Sequence, residues 1–408
     1  MGSASGKMKG SILGSVVANG NFWLCLIINI INKMGRSCVS QPVKLLGSTI
    51  GMPASLIGTA ASVYLICSMV IRSPFGMMLD RYNKKLMLTG AFLIQGFSFL
   101  FYMFVDTPTM YFVAKVIEGF GFGVGYLAMT IIVAGTSDKK AMGSALGLMS
   151  MLPFIFASAT NYITLQIRTL FGEEYSFIGG AACIAVCIVL SWLLRFDTKP
   201  AEFAEPVKTK EKRSKILVVS ALPTAAIMIA VIIPTLEADN YLAIYGEEAG
   251  IPYYAEYLSI YMVANGLSSG VVGYLRDRFG TKVTVYPVIL SGVLATLIIG
   301  FTTNQALWML SAVLMGVAGG GILIICRAQA VLNSSAKDVG LAVATNAIVM
   351  DFGSIIMNPA SGALADIFGY ANMYKIIAAL PVLAFVFTLL FYKKLFGKTA
   401  RTEDDAQG

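Results

Sequence analysis

Charged residues and histidine are what this sequence lacks most. Only 13% of its 408 residues are charged and none is histidine, while 57% are hydrophobic. A soluble domain usually carries about 25% charged residues. The low charge therefore argues against a soluble protein. The absence of histidine means that a side chain that carries protons has to be a carboxylate.

The sequence also lacks the patterns of metal, cofactor and nucleotide sites. Its six cysteines lie in hydrophobic stretches and show no paired spacing typical of a metal site or an extracellular disulfide framework. The glycines of residues 119–125 and 316–321 follow no strand, so we interpret them as close-packing surfaces and not as nucleotide loops. No nucleophile–base pair is evident. We expect neither enzymatic activity, nor a metal, nor a cofactor.

Hydrophobic residues instead form blocks of roughly 20, the length that crosses a bilayer core as a helix. Because lipid offers no hydrogen bonds, a spanning backbone has to satisfy its own, which a helix does. The sequence predicts an all-α membrane protein with twelve transmembrane helices. The predicted spans are residues 21–45, 54–76, 86–105, 110–133, 142–165, 176–195, 216–245, 253–275, 283–302, 306–330, 338–361 and 373–395.

The basic residues, which leave a net charge of +8, indicate orientation. When the loops are assigned alternately to the two sides, most of the 30 Lys and Arg fall on one side, while the opposite loops carry glutamates such as Glu173 and Glu247. This positive-inside bias predicts a multi-pass protein of the plasma membrane (the bacterial inner membrane) with cytoplasmic N and C termini. We therefore expect the lipid bilayer, and no nucleic acid, as a partner.

An internal repeat divides the chain into two halves. "GMMLDRYNKK" (76–85) recurs as "GYLRDRFGTK" (273–282), and a charged, proline-containing connector lies between them. Parallel repeats are one known architecture of transporters, with the solute site near the midplane between the halves. We predict an N-terminal six-helix bundle (1–196), a cytoplasmic linker (197–215) and a pseudo-symmetric C-terminal six-helix bundle (216–408).

The repeated turn resembles the signature between helices 2 and 3 of the major facilitator superfamily. Each copy has a glycine, an aspartate and an arginine in the same order: Gly76, Asp80 and Arg81, then Gly273, Asp277 and Arg278. The first copy has Asn83 where the family usually has glycine, a mild departure because Asn tolerates left-handed turns. The resemblance covers essentially the whole chain. It implies a secondary transporter that works by alternating access, with these six residues as its conformational switch.

A second stretch resembles the helix-4 motif of the same family. "KVIEGFGFGVG" (115–125) has Lys115 and Glu118 where the family usually has Arg and Gln. Three residues apart, the two side chains could neutralise each other, or they could face the cavity as the family position implies. The Gly-Pro pair of the antiporter motif in helix 5 is not visible in "SALGLMSMLPFIFASATNYI" (144–163). Its absence lowers the weight of an exporter.

Helix 1 carries charges where lipid disfavours them. At 100° per residue, the polar side chains fall within an arc of about 120°: Asn29, Asn32, Lys33, Arg36, Ser40 and Lys44. Lys44 lies nearer the outer end, where its side chain can reach water. A charge at the bilayer centre costs about 2.5–3.5 kcal/mol, so we expect this stripe to face a water-accessible cavity or a partner. Two alternatives stay open for Lys33 and Arg36. They neutralise protein carboxylates, or they bind an anionic substrate, with Arg36 as a two-pronged clamp.

Four intramembrane carboxylates are candidates for proton coupling or charge pairing: Glu118, Glu237, Asp239 and Asp351. Glu237 and Asp239 lie about 200° apart on a regular helix, so both face one cavity only if Pro234 distorts that helix. Asp351 carries a proton, or it forms a structural salt bridge for which Arg327 is a candidate partner.

The predicted substrate-binding set draws on both halves: Asn29, Lys33, Arg36, Lys115, Tyr126, Asn240 and Asn358. The leading hypothesis is a monomeric secondary transporter, a symporter or antiporter, that moves a small organic anion with proton coupling. The alternative is a multidrug or cation/proton antiporter, in which the carboxylates hold the cation or exchange protons. A non-transporting sensor or anchor predicts a larger soluble part than the connector supplies.

Overall fold

The computed structural model describes residues 20–79, 84–136, 142–194, 218–334 and 339–396, and no strand occurs within these ranges. The helices are α1 (Gly20–Thr49), α2 (Ala54–Leu79), α3 (Lys84–Phe101), α4 (Pro108–Thr136), α5 (Met142–Phe171), α6 (Glu173–Leu193), α7 (Leu222–Glu248), α8 (Tyr254–Phe279), α9 (Thr281–Phe301), α10 (Gln305–Leu332), α11 (Val339–Phe368), α12 (Tyr370–Ile377) and α13 (Ala379–Phe396). Short 3₁₀ turns at Tyr102–Phe104 and Val219–Ala221 follow α3 and precede α7.

Each of the twelve predicted spans falls on a helix. The twelfth, 373–395, falls on α12 and α13, which join at Ala378 and together form one span. Ten spans within the described ranges are long and apolar enough to cross a membrane. The prediction of an all-α, twelve-span membrane protein is confirmed.

Glycines with positive φ separate consecutive helices. Gly280 (φ 86°) stands between α8 and α9, and Gly369 (φ 78°) between α11 and α12. Other residues rarely adopt this backbone conformation, so glycine allows the chain to leave one helix and enter the next within a single residue. Gly280 belongs to the second Asp-Arg turn. Its counterpart in the first turn, Asn83, lies outside the described residues.

The chain divides into two compact units. The N-terminal unit comprises Met1–Ile50 and Val63–Lys210, and the C-terminal unit comprises Gly51–Ser62 and Glu211–Gly408. The start of α2 therefore groups with the C-terminal unit although it precedes most of the N-terminal unit in sequence. The predicted linker, 197–215, lies outside the described residues. The division at 1–196 and 216–408 stays a prediction.

In the N-terminal unit, α1 packs against α5 and α6, and α3 packs against α4 and α6. Glycines bring α4 close to α2: side chains at Gly119 and Gly123 would collide with the backbone carbonyls of Tyr64 and Ser68. Small residues permit such close helix contacts in membranes. The interpretation of residues 119–125 as a packing surface is confirmed.

In the C-terminal unit, α10 is central and packs against α8, α9 and α7. Gly316 and Gly320 bring it against the backbone of α8 near Asn265, so residues 316–321 are likewise a packing surface. Near the start of α10, Trp308 is completely buried and its ring contacts that of Tyr257.

Candidate functional site

The polar stripe of α1 lies against neighbouring helices of the N-terminal unit. Asn29 Nδ2 donates a hydrogen bond to the carbonyl of Met149 in α5 (2.9 Å). Lys33 Nζ lies 4.5 Å from the ring centroid of Phe154, also in α5. Ile27, on the other side of α1, is exposed. Asn29 and Lys33 therefore contact protein groups, as the cost of placing polar and charged groups in lipid requires.

Arg36 is held by two aromatic rings. Its Nη2 donates a hydrogen bond to Tyr64 Oη (2.7 Å), and its guanidinium carbon lies 3.8 Å from the ring centroid of Phe122. The rings of Tyr64 and Phe122 stack on each other, 5.6 Å apart at 22°. A cation above an aromatic face is stabilised by the ring quadrupole. The stack fixes the plane of the guanidinium without neutralising its charge.

Lys115 and Glu118 form an ion pair one turn apart on α4. Lys115 Nζ lies 3.0 Å from Glu118 Oε2, and the same oxygen accepts a hydrogen bond from Tyr102 Oη (2.7 Å). Lys115 Nζ also lies 5.4 Å from the ring of Tyr102 and 5.8 Å from that of Tyr64. Glu118 is buried, with 8% of its surface exposed. The Tyr102 hydroxyl on the carboxylate side and the aromatic rings around the ammonium group offset the cost of burying the pair.

These residues form one group because the Tyr64 ring contacts both cations. We call it the cationic cluster, and its members are Arg36, Tyr64, Tyr102, Lys115, Glu118 and Phe122. Two cations and one carboxylate leave one positive charge in excess. Arg36 and Tyr64 are half-buried, whereas the carboxylate is buried. Lys115 is half-buried as well, so both cations are more accessible than the carboxylate.

Sequence reasoning identified the charged members of the cluster and missed the rings. Phe122 follows Glu118 by four residues, so helical spacing alone places the two on one face of α4 and could have identified it. No comparable signal exists for Tyr64. It reaches Arg36 from another helix, and the pairing depends on how α1 packs against α2.

In the C-terminal unit the predicted amides meet. Asn240 Nδ2 donates to Asn358 Oδ1 (3.1 Å), and Tyr241 Oη donates to the backbone carbonyl of Asn358 (2.6 Å). Asn358 is buried and Asn240 is partly exposed. The two predicted substrate-binding amides therefore form one hydrogen-bonded pair between α7 and α11.

The acidic residues of this unit lie in different environments. Glu237 is buried, and its carbonyl accepts a hydrogen bond from Tyr374 Oη (3.2 Å), whereas Asp239 is half-buried. Asp351, on α11, is half-buried as well. All three residues take part in further interactions. α7 remains one continuous helix across Pro234, so Glu237 and Asp239 keep different faces, as their spacing implies.

The second copy of the predicted switch lies at the end of α8. Asp277 is exposed and lies 3.5 Å from Arg276, and Arg278 donates a hydrogen bond to Tyr274 Oη (2.9 Å). Gly273 is half-buried one turn earlier. Of the other predicted residues, Gly76 lies within α2 and Tyr126 within α4, and Asp80 and Arg81 are outside the described residues.

The start of α2 is fastened to α11 inside the C-terminal unit, a contact that sequence reasoning did not predict. The carboxylate of Asp366 accepts hydrogen bonds from the backbone amides of Ala54 (2.7 Å) and Ser55 (3.0 Å). Ser62 Oγ donates to the carbonyl of Ile355 (2.8 Å). A carboxylate at a helix N-terminus satisfies free N–H groups and complements the helix dipole. These contacts tie α2 to α11 along more than two turns.

Comparisons with known proteins agree on the family. The sequence model of the Major Facilitator Superfamily matches residues 25–256 and 216–406. The "multi-drug resistance efflux pump PmrA" of Streptococcus pneumoniae is 23% identical over 355 residues, which cover 83% of this chain and 86% of that protein. The PmrA homolog of Lactococcus lactis is 34% identical over 151 residues, and that alignment spans 36% of each protein.

Solved structures share the fold at low sequence identity. The crystal structure of the nucleoside transporter NupG superposes with a TM-score of 0.72 at 15% identity, over 92% of this chain and 99% of that one. A bacterial homolog of the human lysosomal transporter Spinster gives a TM-score of 0.74 at 13% identity, over 93% of this chain and 97% of that one. Identities this low support the architecture and not the substrate.

Proposed function

This chain belongs to the major facilitator superfamily, and on that premise we propose that it transports a small organic anion across the plasma membrane by alternating access, with proton coupling. It is a transporter and not an enzyme. In the proposal it works as a monomer with both termini in the cytoplasm. Its driving force is an ion gradient, in keeping with a sequence in which no nucleotide-binding loop is evident.

The contacts of Arg36 are the observation that carries the anion proposal. Within the described residues they are one hydroxyl, on Tyr64, and two aromatic rings, with no carboxylate. A guanidinium has five N–H donors, and one of them bonds to Tyr64. The remaining donors can bind a carboxylate or phosphate in two-pronged fashion. The Lys115 charge, by contrast, is already matched by Glu118.

In the proposal, the other predicted substrate-binding residues contact the solute together with Arg36. Lys33, one helical turn before Arg36, supplies a second positive charge beside Phe154. Asn29 and Tyr126 provide polar groups from the same unit, and Asn240 with Asn358 provide amides from the C-terminal unit. In the proposal the anionic group binds at Arg36, Lys33 and Lys115, and the neutral part of the solute meets amides and rings.

Proton coupling is assigned to carboxylates because the chain has no histidine. Glu118 is the member that contacts the anion-binding side directly. Its protonation would remove the partner of Lys115 and add a free positive charge to the cluster, so proton and anion binding would favour each other. Three further carboxylates share the role of coupling or charge pairing: Glu237, Asp239 and Asp351.

The repeated turns serve as the conformational switch in this proposal. The switch residues are Gly76, Asp80, Arg81, Gly273, Asp277 and Arg278, and the charge distribution of the sequence predicts that both turns are cytoplasmic. An exposed aspartate such as Asp277 beside Arg276 can exchange partners at little cost, since ion pairs at the surface are weak. Exchange of such pairs would close and open the inner side.

A ligand screen followed by a substitution tests the anion site. Purified protein is heated with panels of carboxylates, phosphates, sugars, amino acids and cationic drugs, because a ligand of the native state raises the melting temperature. We expect an organic anion to stabilise the protein and Arg36→Ala to abolish the effect. Arg168→Ala, which removes an arginine of the same unit that pairs with Glu173, is the matched control. Stabilisation that persists in Arg36→Ala would refute the anion site.

Coupling is tested separately in proteoliposomes. An imposed pH gradient should drive uptake of the stabilising anion, and Glu118→Gln should remove the dependence on the gradient while the anion still binds. Asp351→Asn and Glu237→Gln show whether those carboxylates contribute. A transport rate that is unaffected by pH gradients of either direction would refute proton coupling. It would not refute the anion-site proposal.

Multidrug efflux is the second candidate, favoured by the names of the relatives in S. pneumoniae and L. lactis. In that case the aromatic rings and the carboxylate of the cationic cluster would hold a lipophilic cation. Cells that lack the protein would retain more dye, Arg36→Ala would leave efflux unchanged, and Glu118→Gln would abolish it. This pattern is the reverse of the one expected for an anion carrier.

A further inference from the structure

Two hollows open at one end of the C-terminal unit, on either side of the last turn of α13. The larger has a volume of about 870 Å³ and is bordered by the start of α7, Asn333 and α13. The smaller, of about 420 Å³, lies between the start of α9 and α13. Phe391, Lys393 and Lys394 border both hollows. The two lysines therefore stand at their junction.

A kink in α13 puts the lysines there. Phe391 has non-helical backbone angles (φ −116°, ψ 18°), which bend the helix just before its final residues. Beyond the kink, the carbonyl of Leu395 accepts a hydrogen bond from Asn333 Nδ2 (3.1 Å), and Phe396 is completely buried. Because the chain is bent on one side and anchored on the other, the backbone between them holds the exposed Lys393 and Lys394 in place.

The surroundings of the lysines combine positive charge with apolar surface. Lys282, near the start of α9, borders the smaller hollow, where the rings of Tyr286 and Tyr392 lie 5.8 Å apart. Leu389 and Leu390, one turn before the lysines, are 53% and 72% exposed. No carboxylate is among the described residues that border either hollow. Tyrosines and lysines at the end of a spanning helix are typical of the membrane–water boundary.

We propose that this end of the C-terminal unit binds the headgroup of an anionic phospholipid, whose phosphate sits among Lys282, Lys393 and Lys394 and whose acyl chains lie along the exposed leucines of α13. The ligand matches the site in two respects. Three ammonium groups without a carboxylate complement a phosphate, and basic pockets between transmembrane helices on the cytoplasmic side are suited to anionic headgroups. The apolar surface beside the lysines can bind acyl chains, whereas it would contribute nothing to the binding of a free inorganic anion.

The site is independent of the proposed solute site, since it involves neither the cationic cluster nor its ligands. It lies at helix ends that the charge distribution predicts to be cytoplasmic. A lipid held across α9 and α13 would brace the two helices at the boundary. We therefore expect the lipid to affect the stability of this unit and not the identity of the transported solute.

Native mass spectrometry of the full-length protein in detergent provides the test. The protein is titrated with phosphatidylglycerol, cardiolipin or phosphatidylcholine, and bound lipid is counted. We expect anionic lipids to be retained preferentially, with a loss of about 5-fold in affinity for each of Lys282→Gln, Lys393→Gln and Lys394→Gln. Lys375→Gln is the matched control, because this lysine also lies near an aromatic ring, Phe301 (4.8 Å), but borders neither hollow. Lipid-free melting temperatures verify that the variants fold.

Several outcomes would overturn the proposal. Equal retention of phosphatidylcholine would show that headgroup charge is not recognised, and an equal loss in Lys375→Gln would show a general charge effect. Inorganic phosphate that displaces the lipid at millimolar concentration would identify a free-anion site. Tighter lipid binding after replacement of Glu403, Asp404 and Asp405 by alanine would identify the acidic C-terminal segment as the occupant.

Discussion

Asp366 of α11 caps the first turn of α2: its carboxylate accepts a hydrogen bond from the backbone amide of Ala54 (2.7 Å). The two residues are 312 positions apart in the chain. Around this contact, Tyr241 Oη lies 3.3 Å from the carbonyl of Ala54. In a transporter that alternates its access, such a cap is expected to stabilise the state in which α2 and α11 are joined. Separation of the start of α2 from α11 would require the Asp366 carboxylate to lose its hydrogen bonds to the amides of Ala54 and Ser55.

The cap can be tested by amide hydrogen exchange. Asp366→Ala leaves the amides of Ala54 and Ser55 without their acceptor, and loss of an N-terminal cap costs about 0.5–2 kcal/mol. We expect exchange in the peptide that covers residues 54–62 to become about 2- to 30-fold faster, since exchange reports the free energy of local opening. Glu174→Gln, which removes an exposed carboxylate in the first turn of α6, should leave that peptide unchanged. Unchanged exchange in Asp366→Ala would mean that the cap contributes nothing.

Glycine at position 58 has a packing role that a conservative substitution can measure. A side chain there would overlap Tyr241 Oη and the carbonyl of Asn358. Overpacking of this kind destabilises by about 1–3 kcal/mol. Gly58→Ala is therefore expected to lower the melting temperature, whereas Gly90→Ala should be neutral or stabilising because a Cβ there meets open space. Equal melting temperatures for the two variants would refute the role of Gly58.

Because Arg36 lies on the ring of Phe122, we predict that a positive charge at position 36 is not sufficient for anion binding. Arg36→Lys keeps the charge but loses the planar fork and most of the contact with Phe122. We expect the affinity for the stabilising anion to fall about 10-fold or more, and Phe122→Leu to produce part of the loss. Isothermal titration of both variants and of the double variant provides a double-mutant cycle. Strictly additive losses would show that the ring does not act through the arginine.

The ion pair between Lys115 and Glu118 predicts an asymmetric response to substitution. Glu118→Gln leaves the half-buried Lys115 without its carboxylate, and breaking a buried pair costs about 3–5 kcal/mol, which is an upper bound here. Lys115→Met combined with Glu118→Gln removes the charge that was left behind, so we expect the double variant to regain much of the lost melting temperature. A double variant less stable than Glu118→Gln would contradict this account of the pair.

Much of the architecture follows from local patterns. Apolar blocks of bilayer length predicted the membrane spans, and the repeat predicted corresponding turns, of which the second is observed with Gly280 at positive φ. The division of residues 373–395 into two helices at Ala378 was not predicted, because the hydrophobic block runs through this position and hydrophobicity does not report a local break in the helix. Likewise, the grouping of Gly51–Ser62 with the C-terminal unit leaves no trace in composition.

The sequence by itself determined that Arg36 and Lys115 do not face lipid and need a water-accessible cavity or a partner, since a charged side chain in a spanning helix is costly wherever it meets lipid. Which partners they have was decided by the tertiary structure: Arg36 lies on Phe122 and bonds to Tyr64, and Asp366 caps a helix from the other end of the chain. The physical reason is that helical periodicity specifies only which side chains share a face of one helix. The contact between two faces depends on how the helices pack, and glycines such as Gly58 and Gly119 control that packing through contacts distant in sequence.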